Sequence, residues 1–245
     1  MTVLLISDVH SNLQALEAVL GAEPDVDAVW CLGDIVGYGP NPNECISLLR
    51  TQNAVCLAGN HDRAATGDLD TSTFNTDARA ACNWTENALS NDSWDFLRSL
   101  QPSDSIDGIQ LAHGSPRDPI FEYVFNLSIA VLNFDRFDAD VCLVGHTHVP
   151  LIFTRQHVPD GPPEHATAIP EPTTPFVLKG FRSIVNPGSV GQPRDGDPEA
   201  AYMLLDPKNP TVTLKRLAYD VAKTQQLMQH AGLPARLVQR LSHGR

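Results

Sequence analysis

The sequence predicts an α/β domain in which parallel strands carry helices on their faces, and three observations predict it. Short apolar runs recur along the chain, at VLLIS (Val3–Ser7), AVWCL, AVCLA, IQLA and DVCLV. Stretches with apolar residues at helical spacing lie between several of them, and alternation of this kind favours parallel strands. Each run ends on a glycine or a polar residue rather than fading into a loop, as a strand buried on both faces does when it reaches the edge of its sheet.

The elements follow in order. Val3–Ser7 reads as a strand, and Ser11 or Asn12 can cap a helix carrying Leu13, Leu16, Val19 and Leu20 on one face. AVWCLGD, ending at Asp34, is the second strand. The segment after it, GYGPNPNECISLLR, has a helix start in Asn41, Pro42 and Glu44. AVCLAGN, ending at Asn60, closes a second strand-helix-strand unit. Thr73–Leu100 reads mostly as helix, with Ala78, Ala81, Ala88, Leu89, Phe96 and Leu97 inward and Trp84 and Trp94 packing. IQLAHGSP and DVCLVGHTHVP are further strands. Proline-rich Val158–Pro175 is expected to be a surface loop between strands LIFTR and FVLKGFRSIVN, and AYMLLD with VTLKRLAY a closing hairpin. The tail from Asp220 places Val221, Thr224, Leu227, Met228 and Ala231 on one face, stops at Gly232-Leu233-Pro234, and resumes with Leu237, Val238 and Leu241. This helical tail, about 220–243, is expected to pack back onto one domain spanning 1–245.

Composition narrows the function. The 245 residues are 42% hydrophobic, enough for a substantial core, and no run of about 18 apolar residues marks a membrane span. The opening MTVLLISDVHSNLQ lacks a basic n-region and a small-residue cleavage site, so a cytoplasmic address is expected. Five cysteines without a CxxC pair exclude a disulfide framework and a thiolate zinc site, and read as small buried apolar residues. A net charge of −12 lacks the broad footprint of a nucleic-acid binder, so a polyanion needs a local positive centre such as metal ions.

The strand ends carry the chemistry. Asp8, His10, Asp34, Asn60, His113, His146 and His148 all fall where working residues of open α/β sheets collect, beyond the carboxyl ends of the strands. In extended backbone Asp8 and His10 point the same way, as do His146 and His148. Five of the nine histidines lie in these segments, counting His61. This mixture of carboxylate, amide and imidazole suits divalent manganese, iron, zinc or nickel. Two such ions about 3.5 to 4 Å apart can clamp a phosphoryl group. Their four positive charges, less those of Asp8 and Asp34, leave a centre matched to an anion.

The series SDVH, CLGD, AGNHD, AHGS and GHTH resembles the calcineurin-like metallophosphoesterase superfamily, and NPGSVGQPR (Asn186–Arg194) is similar to its bacterial and archaeal phosphodiesterase branch. The resemblance implies a four-layer α/β/β/α sandwich of two mixed β-sheets. It implies that Asp8, His10 and His148 hold one metal, Asn60, His113 and His146 the other, and that Asp34 bridges them. Manganese is the expected ion, with iron, zinc or nickel compatible. The implied reaction is hydrolysis by a metal-bridging hydroxide, with His61 as the catalytic residue, stabilising phosphoryl oxygens or protonating the leaving group.

One position departs from the pattern: Gly37 stands where protein phosphatases of this superfamily have the aspartate that pairs with the catalytic histidine, and Asp62 is the nearest replacement. Asn12, Tyr38, Arg63, Asn186, Ser189 and Arg194 are candidate substrate contacts, and NPGSVGQPR reads equally well as a tight loop joining two strands. The expected activity is a phosphodiesterase acting on a small phosphate ester or nucleotide, without nucleic-acid or membrane partners. The alternatives are a phosphomonoesterase, a nuclease of the same superfamily, or a non-catalytic scaffold, whose hallmark would be loss of the histidine that this chain keeps at position 61.

Overall fold

Strand β1 (Val3–Ile6) shows why the apolar runs are continuous. Leu4 and Ile6 pack among helix residues such as Leu16, Val19 and Ile46, whereas Val3 and Leu5 pack against Leu111, Leu143 and Val185 of a second sheet. With both faces covered, neither can be polar. The computed structural model describes residues 1–245 and contains two six-stranded sheets packed face to face.

In the first sheet the order is β3 (Val55–Cys56), β2 (Ala28–Cys31), β1, β11 (Ala200–Asp206), β12 (Thr211–Leu217) and β9 (Pro175–Val177). Strands β3, β2 and β1 run parallel, as the alternation predicts, and β11 pairs antiparallel with β1 to make the sheet mixed. The second sheet runs β4 (Ser103–Ile106), β5 (Ile109–Ala112), β6 (Val141–Val144), β10 (Arg182–Pro187), β7 (Pro150–Gln156) and β8 (Glu164–Ala168). Its central strands β5, β6 and β10 are parallel, flanked by antiparallel neighbours on both sides.

Helices complete the four layers. Helices α1 (Leu13–Ala22) and α2 (Pro42–Thr51) cover the outer face of the first sheet, and α6 (Leu127–Asn133) covers the second through Ala130, next to Phe134. Cys31 and Cys45 lie in the first of these layers and Cys142 in the last, so these thiols serve as small apolar side chains. Asn12 is the cap of α1, accepting from Ala15 N at 3.2 Å. Asn41 precedes α2 as expected, yet its side chain makes no capping bond, and Pro42 at the first helical position sets the start instead.

The remaining helices are α3 (Asn60–Ala65), α4 (Thr76–Ala88), α5 (Asn91–Ser99), α7 (Val221–His230) and α8 (Ala235–Arg240). The stretch read as mostly helical breaks at Leu89 and Ser90, where Ser90 Oγ caps α5 by accepting from Ser93 N at 3.2 Å. The tail folds back as expected: Met228, Leu233, Leu237, Val238 and Leu241 bury against Ala78 and Ala81 of α4 and against Tyr38. The proline-rich stretch departs from the expected loop. Glu164–Ala168 forms β8, paired residue by residue with Ile152–Gln156, and the prolines of the stretch lie outside it, Pro175 opening the edge strand β9. No helix is long and apolar enough to cross a membrane.

Candidate metal centre and active site

The carboxyl ends of β1, β2, β5 and β6 meet along one edge where the two sheets abut, joined by the first turn of α3. The expected alternation of extended backbone is not what aligns the side chains. Asp8, His10, Asp34, His146 and His148 lie beyond their strands with φ of 53°, 48°, 50°, 66° and 61°. Left-handed backbone at a non-glycine residue costs on the order of 1–3 kcal/mol and persists only where its surroundings impose it. Here the imposing contacts are visible: Asp8 N donates to Gly33 O and His10 N to Asp34 O, both at 3.0 Å. Asp8 Oδ2 accepts from His146 N at 3.1 Å and Asp34 Oδ1 from His61 N at 2.8 Å, so each carboxylate ties two segments of the site together.

Glycines make room for these contacts. A Cβ on Gly59 would lie 2.0 Å from Asp34 Oδ1, and one on Gly145 2.1 Å from Ser7 Oγ. Gly33 combines a φ of 97° with a Cβ position 2.8 Å from His113 Nδ1. The glycine in each motif is therefore a matter of close approach as much as of turning.

Two donor clusters result, Asp8, His10, Asp34 and His148 in one and Asp34, His113 and His146 in the other, the ligand atoms of each lying within 4.8 Å of one another. Asp34 belongs to both, its Oδ2 standing 3.6 Å from His10 Nε2 and 3.6 Å from His113 Nε2. Asn60 joins the second, with Oδ1 3.2 Å from His113 Nε2.

Hydrogen bonding orients the imidazoles. Nδ1 of His10, His113 and His148 lies 3.1, 2.8 and 2.6 Å from the carbonyls of Val36, Leu32 and Gln192. Carbonyls only accept, so each Nδ1 carries the proton and each Nε2 presents a lone pair to the centre. His10 Nε2 and His148 Nε2 then face each other at 3.1 Å as two acceptors, an arrangement that a shared cation satisfies. Asp8 Oδ1, Asp34 Oδ2 and His146 Nε2 are buried without a hydrogen-bond partner. Burial pushes the Asp8 carboxyl up to about 7 and holds Asp34 well above its ordinary range, the latter aided by the Asp62 charge. Burial likewise holds His10, His146 and His148 well below theirs. Buried nitrogen and oxygen acceptors left without hydrogen-bond partners, with carboxylates that burial holds from ionising, fit divalent cations, whose charge favours the ionised form.

His61 begins α3 beside this set, and its Nδ1 partner is Cys82 Sγ of α4 at 3.4 Å. A Cβ on Gly37 would come within 2.7 Å of that Nδ1, so the position that lacks the aspartate is in direct contact with the ring. Asp62 is committed elsewhere: its carboxylate accepts from Gly59 N at 2.8 Å and Val36 N at 3.0 Å and fastens the start of α3.

The other candidates separate by what they touch. Asn12 caps α1 and donates to Gly191 O at 2.9 Å. Asn186 donates to Gly145 O at 2.6 Å and Thr147 Oγ1 at 3.0 Å, and Ser189 Oγ donates to Asp8 O at 2.7 Å. All three are buried and tie loops of the site together. Arg63 is not brought to the site, since its guanidinium donates to Leu100 O at 2.6 Å and lies 3.8 Å from Asp68. Tyr38 and Arg194 line open space beside the cluster.

A cavity of about 230 Å³ opens over Asn60, His61 and His146, walled by Tyr38, Phe74, Phe121 and Tyr123. Tyr123 stacks on His146 with ring centroids 3.8 Å apart. The sequence reading took Cys82, with the other cysteines, as a small buried apolar residue rather than a partner of His61, and did not name Phe74, Phe121 or Tyr123. Alternate aromatics in FEYVF were the available signal for the wall, whereas nothing local marks Cys82.

The sequence matches the family model of the calcineurin-like phosphoesterase superfamily domain over residues 1–210. It is similar to a metallophosphoesterase from Sphaerobacter thermophilus, at 45% identity and a TM-score of 0.88, covering 100% of this chain and 99% of that one. An uncharacterized protein of Methanocaldococcus jannaschii is 35% identical over 98% of this chain and 97% of its own length. A symmetrical bis(5′-nucleosyl)-tetraphosphatase of Pseudomonas putida is 36% identical over 67 residues, 25% of this chain and 23% of its own. With its motifs at the meeting edge of two mixed sheets, and with the family match running from the first strand into the last hairpin, the chain belongs to the calcineurin-like phosphoesterase superfamily.

Proposed function

We propose that this chain is a single-domain cytoplasmic phosphodiesterase with a binuclear metal centre, acting on a small phosphate ester or nucleotide. The observation that carries the reading is Asp34, one carboxylate shared by two clusters of buried acceptors. Asp8, His10 and His148 would hold one ion and Asn60, His113 and His146 the other, with Asp34 available to both; manganese is the expected metal. Bound there, two divalent ions supply a nucleophilic hydroxide at neutral pH and positive charge for the phosphoryl oxygens.

The chain's own groups complete the chemistry. Burial holds the Cys82 thiol up at about 12 and the His61 imidazole down at about 3, so both are neutral at working pH. Neighbouring cations push the imidazole further in the same direction. The thiol proton donates to His61 Nδ1, which leaves the ring proton on Nε2. His61 is therefore a neutral hydrogen-bond donor to a phosphoryl oxygen, suited to stabilising charge as it builds up there. Arg194 adds a fixed cation whose field reaches both Asp8 and Asp34. Hydrolysis adds one water across the P–O bond, and the departing oxygen leaves with a proton.

Aromatic walls favour an ester with a planar group, such as a nucleobase, over a bare phosphate. Similarity over a quarter of the chain to a bis(5′-nucleosyl)-tetraphosphatase supports a nucleotide substrate. The test is hydrolysis of bis-p-nitrophenyl phosphate and p-nitrophenyl phosphate by metal-stripped protein, with manganese, nickel or zinc restored. Diester turnover that requires metal and drops about a hundredfold or more in His61→Ala is expected. Turnover of neither ester with metal bound sinks the reading and favours a scaffold.

A further inference from the structure

Beside the aromatic cavity lies a second one of about 430 Å³, and its wall is basic. Tyr38 and Tyr123 line both spaces, so they adjoin. Arg194 enters from the segment after β10, Arg236 and Arg240 from α8, and Arg245 from the residues that follow. In a chain with 17 basic residues and a net charge of −12, four arginines around one cavity are a pronounced local reversal.

These cations lack side-chain carboxylate partners. Five of the nine arginines outside the cavity, Arg63, Arg98, Arg117, Arg155 and Arg216, pair with aspartate or glutamate, and none of the four cavity arginines does. Asp77 is the single acid on the wall and lies beyond ion-pair distance of them. Arg194 Nε is buried without an acceptor, while its Nη2 donates to Gln192 Oε1 at 2.9 Å. Arg240 Nε donates to Arg245 O. Burial, and next the Arg194 charge, pull Arg240 down to about 10, the direction expected of a partly buried cation crowded by another.

Resting on the phosphoesterase reading, we propose that Arg194, Arg236 and Arg240 form a distal phosphate subsite. A substrate whose scissile phosphate occupies the metal centre continues through Arg194 into this cavity with at least one further phosphate. The substrate class is then a polyphosphorylated nucleotide, with its base against the aromatic wall, rather than a single-phosphate ester. Guanidinium forks suit this task because they meet phosphate oxygens in pairs and keep their charge. Helix α8 thereby joins the site, since Leu237 and Val238 anchor it in the core while Arg236 and Arg240 flank the cavity.

The test needs no metal, so its failure is separable from failure of the phosphoesterase reading. Inorganic tripolyphosphate and orthophosphate are titrated calorimetrically into metal-stripped protein in excess chelator, for wild type, Arg236→Gln/Arg240→Gln and Arg236→Lys/Arg240→Lys. Tripolyphosphate is expected to bind at least tenfold tighter than orthophosphate. The glutamine variant loses that preference and the lysine variant keeps most of it. Equal binding of the two anions, no tripolyphosphate binding, or a glutamine variant that binds like wild type overturns the subsite. Should the double variant not fold, Arg236→Gln at an exposed position carries the comparison. In the metal-loaded enzyme, the ratio of kcat/KM for a dinucleoside tetraphosphate to that for bis-p-nitrophenyl phosphate is expected to fall at least tenfold in the glutamine variant, and an unchanged ratio contradicts the assignment.

Discussion

Cys82 shows how a side chain far away in sequence comes to stand against a catalytic histidine whose usual carboxylate partner is missing. With Gly37 in place of a carboxylate, a neutral thiol sits 3.4 Å from His61 Nδ1, and in the proposed mechanism it donates there and leaves the ring proton on Nε2. Cys82→Ala removes that bond, worth about 1 kcal/mol. The expected loss in kcat is about fivefold, with KM little changed, whereas Cys82→Ser keeps a donor and stays near wild type. Cys82→Asp installs a charged acceptor, turns the Nδ1 proton toward the carboxylate and raises the imidazole, so a new acidic limb is expected in the pH profile of kcat. A steady-state pH series on all three variants checks this, and identical profiles contradict the tautomer assignment. The seven candidate ligands were legible as candidates because all fall at or just past the end of an apolar run, four of them (Asp34, Asn60, His113 and His146) beside a glycine. The thiol was not, because its role arises only when α4 packs on α3. Arg63 was over-read for the opposite reason: adjacency to His61 in sequence places it on another side of α3, against Leu100 O.

Strands and their turns, more than individual ligands, set the geometry. Five candidate ligands occupy left-handed backbone just past strands that end at Ile6, Cys31 and Val144, so two-residue alternation of extended backbone is not what aligns Asp8 with His10 or His146 with His148. Contacts across the edge impose these conformations, and short sequence windows do not contain them. The turn at Gly59 is such a contact at the shared ligand: Gly59→Ala would place Cβ 2.0 Å from Asp34 Oδ1 and drive the shared carboxylate off position. Loss of most metal affinity, measured by titrating manganese into the stripped variant, is the expected outcome, and wild-type affinity would contradict it. Helix α8 offers a second test. Leu237→Ala empties a buried position and is expected to cost about 2–4 kcal/mol in denaturant unfolding. The β7–β8 pairing escaped the sequence reading because prolines at its turns masked a short edge strand whose residues are mostly exposed.

For the molecule as a whole, the central fact is a buried cluster of acceptors in an acidic protein. Parallel strands with helices on their faces were readable from the continuous apolar runs and the two-sheet sandwich from the family resemblance, while the arginine cavity was not, since it joins the segment after β10 to a helix near the end of the chain. Metal binding is linked to pH through Asp8. Its carboxyl, pushed up to about 7 in the metal-free fold, holds a proton below that pH which a cation must displace. The folded value lies above the unfolded one, so ionising Asp8 destabilises the metal-free fold as pH rises toward 7. The gain in Tm on adding manganese is therefore expected to be larger at pH 8 than at pH 6. Equal gains at both pH values would contradict that linkage.

The most direct test of the binuclear centre is a titration of metal-stripped protein with manganese, following bound metal per chain and bis-p-nitrophenyl phosphate turnover together. The account predicts that turnover rises with metal and levels off at two ions per chain, and that Asp34→Asn abolishes the plateau. Full turnover with one ion per chain or none, or no turnover with two bound, would contradict it.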